Sequence, residues 1–412
     1  MLDRCAESLF WIGRYVERAE NHARLLDVNY HMREQGGYEE EHFWRAMTEA
    51  IGDTGIYDAR HETYNERDVL YFLLLDPSMT NSLLSCVVHA RDNFKKVREQ
   101  LPAELWNMLN SFYLWLREVR LVHVLEQSPH RFFQRIIEQL AAFQGMAASI
   151  MLRDESWHLM ESGRFLERSE NMVRMLLFVH RAVHERRDAS FAYSKVVLTS
   201  AGGYEAFRKL ELDDMSLEEV ARFLILQDRF PRSVQYAVGR FETHLKALRQ
   251  IAERSNPALD RLIRIAGKAR SELGWLEKDD ITAHTMHDVL QGLLAANLRL
   301  GDAMANVFFF PQKRGHPMKL DICHITKYTY GAMVTDSVNE IRLSPRTDER
   351  QACYRHRITI EPNVLLSSYE DDFGNRVHCF TAWQPHRELV ITAHSTVVTR
   401  DQEVPRRLCR PA

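Results

Sequence analysis

Two stretches of this sequence carry nearly the same phrase. GRYVERAENHARLL begins at Gly13 and GRFLERSENMVRMLL begins at Gly163. A charged helix met once is ordinary. Met twice, in the same order and about 150 residues apart, it requires two equivalent helices in equivalent surroundings. Gly13 falls on Gly163, Arg14 on Arg164, Glu17 on Glu167, Arg18 on Arg168, Glu20 on Glu170, Asn21 on Asn171 and Arg24 on Arg174. Two further matches follow in the same order. AMTEAIGDTGIYDAR lies over VVLTSAGGYEAFRKL, with Gly52 on Gly202 and Tyr57 on Phe207. MTNSLLSCVV lies over FPRSVQYAVG, with Ser82 on Ser233. The reading is an internal duplication, a pseudo-symmetric helical body with halves at about 1–152 and 153–310.

The phrase is amphipathic. At about 100° per residue, Arg14, Glu17, Arg18, Glu20, Asn21 and Arg24 share one broad arc. Ile12, Val16, Ala19, Ala23 and Leu26 lie opposite, an apolar stripe for a core. Arg14–Glu17, Glu17–Arg18, Glu17–Asn21 and Glu20–Arg24 are neighbours on that arc, and such pairs contribute only about 0.2–0.5 kcal/mol each. A solvated face would tolerate any charge order, yet both copies keep Arg-x-x-Glu-Arg-x-Glu-Asn-x-x-Arg. Two readings stay open. The groups form a buried Arg/Glu network where the halves meet, or the arginines bind a carboxylate or phosphate. The candidate binding residues are Arg14, Glu17, Arg18, Glu20, Asn21 and Arg24 with Arg164, Glu167, Arg168, Glu170, Asn171 and Arg174. Glu17 and Glu167 are also the candidates for acid/base catalysis.

Helical periodicity runs on to residue 308. Asp3 can cap the first helix, and Gly36-Gly37 stops it after about Glu34. Further helices are predicted near 42–51, 66–75, 80–100, 102–126, 129–152, 154–186, 192–201, 216–227, 231–254, 257–275 and 283–308. Pro231 is expected in a first turn. Character then changes at PQKRGHPM, and residues 311–317 read as a linker. Beyond it, residues 318–412 alternate as strands. Leu320, Ile322, His324, Thr326 and Tyr328 share one face, and Val377, Cys379, Thr381 and Trp383 share another. DFGN from Asp372 to Asn375 signals a tight turn. The fold class is mainly α, a duplicated helical bundle followed by a small antiparallel β domain.

A net charge of −3 offers no global field for nucleic acid or an anionic membrane. No window approaches the ~20 apolar residues of a membrane span, and no signal peptide is visible in MLDRCAE. Six cysteines without any CxxC fit reduced thiols in a cytoplasm. No metal and no cofactor is expected. Glu155-Ser-Trp-His158 is an ExxH, but its repeat partner is Cys5-Ala-Glu-Ser8, so the second ExxH of a di-iron bundle is missing. His180 and His184 stand one turn apart without a third ligand. Cys379, His394 and Asp401 have the identities of a hydrolase triad but no helix to raise a nucleophile, and Cys379 reads as a small core residue.

MLDRCAESLFWIGRYVERAENHARLLDV resembles the start of the bacterial alpha-E domain family, named for its Glu-Arg motif. LLLDP, ARDNFKKVREQLPAELWNMLN and FPRSVQYAV resemble its later segments, and the likeness covers about residues 1 to 310. The motif positions are Glu17-Arg18 and Glu167-Arg168. The resemblance implies an all-helical fold with no assigned reaction. It also implies work beside ATP-grasp ligases and transglutaminase-like proteases in peptide ligation or modification. Residues of about 318 to 400 are similar to the β-rich N-terminal domain of bacterial transglutaminase-like proteins, through MKLDICHITKYTYGAMVTDSVNEIRLSPR, YEDDFGNRVHCF and LVITAHSTVV. The expected role is a non-catalytic adaptor or substrate-presenting component of such a system, with a carboxylate-bearing peptide as ligand. The alternatives are an enzyme using Glu17 and Glu167, or a transglutaminase-like protease truncated before its Cys-His-Asp core.

Overall fold

The computed structural model describes residues 3–34, 40–185, 190–210, 215–252, 256–309, 319–347, 351–371 and 375–399. The linker at 311–317, Gly36-Gly37, residues 372–374 of the DFGN turn and Asp401 lie outside them. The chain divides into two compact units, Met1–Pro311 and Gln312–Ala412.

The first unit is helical, and its elements come in two matching series. The first runs α1 (Asp3–Glu34), α2 (Glu40–Ile51), α3 (Thr54–Asp58), α4 (Glu66–Leu74), α5 (Leu83–Lys96), α6 (Ala103–Arg117), α7 (Leu121–Gln127) and α8 (Pro129–Ile150). The second runs α9 (Glu155–Glu185), α10 (Ser190–Ser200), α11 (Tyr204–Lys209), α12 (Leu217–Leu226), α13 (Val234–Ile251), α14 (Pro257–Gly274) and α15 (Met286–Met304). Among the described residues only α7 lacks a full helical partner, and a short 3-10 turn, Lys278–Asp280, stands in its place. Packing repeats as well. α1 packs on α5 and α8 as α9 packs on α13 and α15. Crosswise, α1 meets α10 while α9 meets α2. Matching caps mark the same points: Ser82 accepts from Ser85 N at the start of α5, and Ser233 accepts from Tyr236 N at the start of α13.

These caps also correct three predicted boundaries. α5 starts at Leu83 and closes in a 3-10 turn at Arg98–Gln100 rather than running from 80 to 100. Pro231 is not in a first turn. It precedes Ser233, and its carbonyl accepts from Arg168 Nη1 at 3.2 Å. The predicted helix at 102–126 is two helices. Leu105, Leu109, Phe112 and Leu116 hold one helical phase, but the next inward residue is Leu121, five positions on. An unbroken helix would turn Arg120 inward, and the break returns Leu121 to the core. α3 and α11 were not predicted, since five or six residues are too few to show a period.

α1 and α9 form the centre and cross in backbone contact. A methyl group on Gly13 would lie 1.9 Å from the Met160 carbonyl oxygen, and one on Gly163 would lie 2.0 Å from that of Phe10. Only glycine allows this approach. The repeated phrase therefore opens with glycine because the two copies touch there.

The described residues of the second unit form six strands: β1 (Lys319–Val334), β2 (Ser337–Ile341), β3 (Gln351–Glu361), β4 (Ser367–Glu370), β5 (Arg376–Ala382) and β6 (His386–Thr399). They form two three-stranded antiparallel sheets, ordered β1-β6-β3 and β2-β5-β4. Register places Leu320, Ile322, Thr326 and Tyr328 beside Val397, Ser395, Ile391 and Leu389. Those β6 residues are buried, but β1 is an edge strand and its own side chains stay largely open. The face predicted on β5 is corrected. Val377 is buried as expected, but Phe380 and Ala382 are buried in place of Cys379 and Thr381, and Trp383 lies past the strand end at 73% exposure. Cys379 is therefore not a core residue; its Sγ lies 3.8 Å from Glu340 Oε1.

Candidate functional site

Where α1 crosses α9, the two Glu-Arg motifs exchange partners. Glu17 accepts from Arg168 Nε at 2.8 Å and Nη2 at 2.7 Å. Glu167 accepts from Arg18 Nε at 2.6 Å and Nη2 at 3.1 Å. Each arginine thus forks onto the glutamate of the opposite copy, the geometry in which planar guanidinium and carboxylate bond most strongly. Glu17 is 0% and Glu167 1% exposed. The charged arc is thus no wet surface: Arg14, Glu17 and Glu20 are buried, and Arg18, Asn21 and Arg24 are partly so.

A second tier closes the lattice. Glu167 also accepts from Arg14 Nε at 2.5 Å, and Arg14 Nη2 continues to Glu170 at 2.6 Å. Glu170 takes Arg174 at 2.7 Å. In the other half Arg232, on the turn before α13, bonds Glu20, Asn21 at 2.9 Å and Glu17 at 3.5 Å. Glu20 takes Arg24 at 2.9 Å. Each glutamate pair therefore meets three arginines. Of the intrahelical pairs predicted for α1, Glu20–Arg24 and Glu17–Asn21 form. Arg14 and Arg18 reach across to α9 instead, because the glycine contact brings that helix within their span.

The copies diverge at one place. Arg164, the partner of Arg14 in the repeat, does not cross; it stays on Glu161 and on Gln144 Oε1 at 3.3 Å. Position 161 is glutamate where position 11 is tryptophan. Arg14 has no carboxylate one turn back, and its guanidinium lies 5.3 Å from the Trp11 ring. Arg164 has one, and Arg232 fills the role it leaves vacant. Gln144 links the tiers, donating to Glu20 at 3.0 Å and Glu17 at 3.3 Å. Arg18 also donates to Asn81 Oδ1 at 2.7 Å. Asn171 does not copy Asn21: its buried Nδ2 has no hydrogen-bond partner among the described residues.

The electrostatics follow from this pairing. Burial works to raise the Glu17 pKa, but Arg168 and Arg232 outweigh it and hold the group at about 2. Burial acts the same way on Glu167, and Arg14 with Arg18 holds it well below the ordinary carboxylate range. Glu161 goes the other way, raised by burial that Arg164 only partly offsets. A carboxylate that stays ionised at every ordinary pH neither gives nor takes a proton at neutrality. Eleven of the twelve candidate residues thus join one network at the crossing, Arg164 through Gln144, and Asn171 does not. Arg24 and Arg174, with side chains 26% and 50% exposed, are where the lattice meets water. Sequence reasoning missed Arg232, Gln144, Glu161 and Asn81. Arg232 stands in the FPRS segment already seen to repeat, beside capping Ser233, and that was its one signal.

Other candidates stand apart. His158 of the ExxH faces His244, with Nδ1 atoms 2.9 Å apart. His180 and His184 stack with ring centres 6.4 Å apart, and His287 lies 5.9 Å from His180. Cys379 and His394 lie in different sheets, and His394 Nε2 is 3.8 Å from Cys323 Sγ. Cys5, Cys86, Cys323, Cys353 and Cys379 are free thiols. No helix among the described residues is long and apolar enough to cross a membrane.

Residues 1–309 match the Alpha-E family model, described as a predicted alpha-helical domain with a conserved ER motif. The chain belongs to the Alpha-E family. Glu17-Arg18 and Glu167-Arg168, the Glu-Arg pairs of the repeated phrase, are the four groups that exchange partners at the crossing. Residues 320–398 match the bacterial transglutaminase-like N-terminal region. An uncharacterized protein of Mycobacterium tuberculosis is 25% identical over 353 residues, covering 76% of this chain and 39% of its own length. An uncharacterized protein of Mycobacterium bovis is 40% identical over 77 residues, 18% of this chain and 24% of its own. One of Mycobacterium leprae is 35% identical over 85 residues, 21% of this chain and 30% of its own. The chain thus spans well under half the length of these curated relatives. No solved structure matches it. Together the two domains point to a transglutaminase-associated system.

Proposed function

We propose that this chain is a non-catalytic adaptor, presenting a carboxylate-bearing peptide to a transglutaminase-like protease and an ATP-grasp ligase in the cytoplasm. The observation that carries this reading is the closed Alpha-E lattice. Glu17 and Glu167, the two groups placed to act as acid and base, are each held by arginines and fixed in the ionised state. That arrangement supports a rigid body better than a reaction centre. The transglutaminase-like N-terminal region in the same chain supports the choice of partners. Among the candidate binding residues, Arg24 and Arg174 remain accessible to an anionic peptide terminus.

The test mixes the purified full chain with a purified transglutaminase-like protease or ATP-grasp ligase of the same organism and follows association by sedimentation. A complex at micromolar concentration with either partner is expected. Arg24→Ala with Arg174→Ala should leave the fold intact and weaken capture of the peptide substrate about tenfold, near 1.4 kcal/mol. Absence of a complex with both partners would overturn the adaptor reading. Amide formation or hydrolysis by this chain alone, lost in Glu17→Gln, would replace it with the enzyme reading.

A further inference from the structure

Away from the crossing, toward the C-terminal end of α1, three metal-binding side chains converge. Asp27 and His31 stand one turn apart on α1, and His130 stands in the first turn of α8. Their donor atoms all lie within 4.8 Å of one another. Asp27 is buried, and its Oδ1 lies 2.7 Å from His130 Nδ1. The His31 and His130 rings are 4.7 Å apart, tilted by 40°. Gln134, one turn beyond His130, donates to the other Asp27 oxygen at 2.8 Å.

We propose that Asp27, His31 and His130 form a binding site for a divalent first-row transition ion of the Zn2+ type. Two imidazoles and one carboxylate are the donor set of such ions, whereas Mg2+ and Ca2+ favour all-oxygen shells. The site has the layered order of a metal centre. Gln134 holds the second carboxylate oxygen, so Oδ1 is left aimed at the imidazole. It has an entrance, since the His130 side chain is 44% exposed over an Asp27 that is 8% exposed. Ligand atoms around a tetrahedral Zn2+ sit about 3.3 Å apart for bonds near 2.0 Å. The Asp27–His130 contact of 2.7 Å must therefore open by roughly half an ångström, which a small rotation of the imidazole supplies. Three protein donors leave a fourth position for water or for a ligand carboxylate. The site belongs to one half only, because the repeat places Leu177 and Arg181 where Asp27 and His31 stand.

The test is calorimetric titration of Zn2+ into the full, tag-free chain after chelator treatment, in a buffer that does not bind metal. One site per chain is expected. Asp27→Asn, His31→Gln and His130→Gln should each weaken it at least tenfold, while His158→Gln leaves it unchanged. Co2+ in its place should give the visible absorption of a four-coordinate nitrogen and oxygen site, abolished by His31→Gln. His31→Gln leaves the Asp27–His130 bond in place, so it stays informative even where Asp27→Asn lowers stability. Absence of stoichiometric binding, or binding untouched by all three substitutions, would overturn the proposal and leave Asp27–His130 as a tie between two helices.

Discussion

The two copies of the Alpha-E motif differ less in their chemistry than in where each finds its third cation. Glu167 and Glu170 in α9 are served by Arg14, Arg18 and Arg174. Glu17 and Glu20 in α1 are served by Arg168, Arg232 and Arg24. Five of these six arginines are motif residues. Arg232 replaces Arg164, which Glu161 keeps at home. The duplicated chain has thus preserved the charge scheme and changed one supplier. What is held fixed is the ionic saturation of two buried glutamate pairs. A buried carboxylate left short of a partner is strongly destabilising, so a drift at position 161 has to be answered elsewhere.

The largest effect should come from the point at which the halves are alike. Gly13→Ala or Gly163→Ala drives a methyl group into a backbone carbonyl, and neither helix can move without breaking the exchange beside it. Either substitution should cost more than about 5 kcal/mol, at the exceptional end for one residue. Circular dichroism of the purified chains would check it, and a native melt for either would break the symmetric account. Next come the glutamates. Glu17→Gln leaves Arg168 without a carboxylate and takes one of two from Arg232, and Glu167→Gln does the same to Arg18 and Arg14, so each should cost about 3–5 kcal/mol in urea denaturation. Unequal losses would show that the exchange is less symmetric in energy than in geometry.

Acid should destabilise the helical unit in two stages. Burial first, and Arg18 second, push His22 down to about 3, and burial with Arg240 pushes His244 down to about 3. A histidine so depressed stabilises fully above its unfolded value of 6.5 and loses that contribution as pH falls toward 3. Glu17 at about 2 stabilises above its unfolded value of 4.5 and loses that as pH falls toward 2. Urea midpoints should therefore hold steady above pH 6.5, decline below it and steepen below 4.5. In Glu17→Gln the second stage should be shallower. A midpoint that rises on acidification would contradict the pairing.

How much of this was legible follows from which residues carry periodic signals. The duplication, the central helices and the β domain could be read because glycine, Glu-Arg and apolar spacing recur at fixed offsets. That the charged arc is buried was one of two open readings: periodicity alone assigns such a face to solvent, and only the charge order kept in both copies spoke for burial. The clue was Gly13 on Gly163, whose reason is visible only once Met160 and Phe10 carbonyls are placed against them. Arg232 and Gln144 escaped because they lie on other elements, brought in by tertiary packing that no local pattern encodes. The Cys379 reading failed partway along β5: Val377, of the same parity, is buried, but beyond it the buried positions are Phe380 and Ala382.

A smaller effect tests the change of supplier directly. Arg232→Asn, which gives this half the residue found at Asn81 in the other, should cost about 1–3 kcal/mol by leaving Glu20 and Glu17 under-paired. Adding Glu161→Leu should recover part of that loss, because it frees Arg164 to cross as Arg14 does. The double-mutant cycle reads the coupling. Strictly additive losses would mean that Arg164 is held by geometry and not by Glu161.

The smallest effect belongs to the lattice's edge. Arg174→Ala removes a half-exposed side chain whose partner, Glu170, keeps Arg14. An exposed pair one helical turn apart is worth about 0.3–0.5 kcal/mol. Arg24→Ala should cost slightly more, since its side chain is more buried, yet Glu20 keeps Arg232 and Gln144. Near-silent stability in both variants is what lets these arginines report on ligand capture without confounding it. A loss from Arg174→Ala as large as that from Glu167→Gln would mean that the lattice extends past α9 into groups that hold Arg174 as tightly as Glu170 holds Arg14.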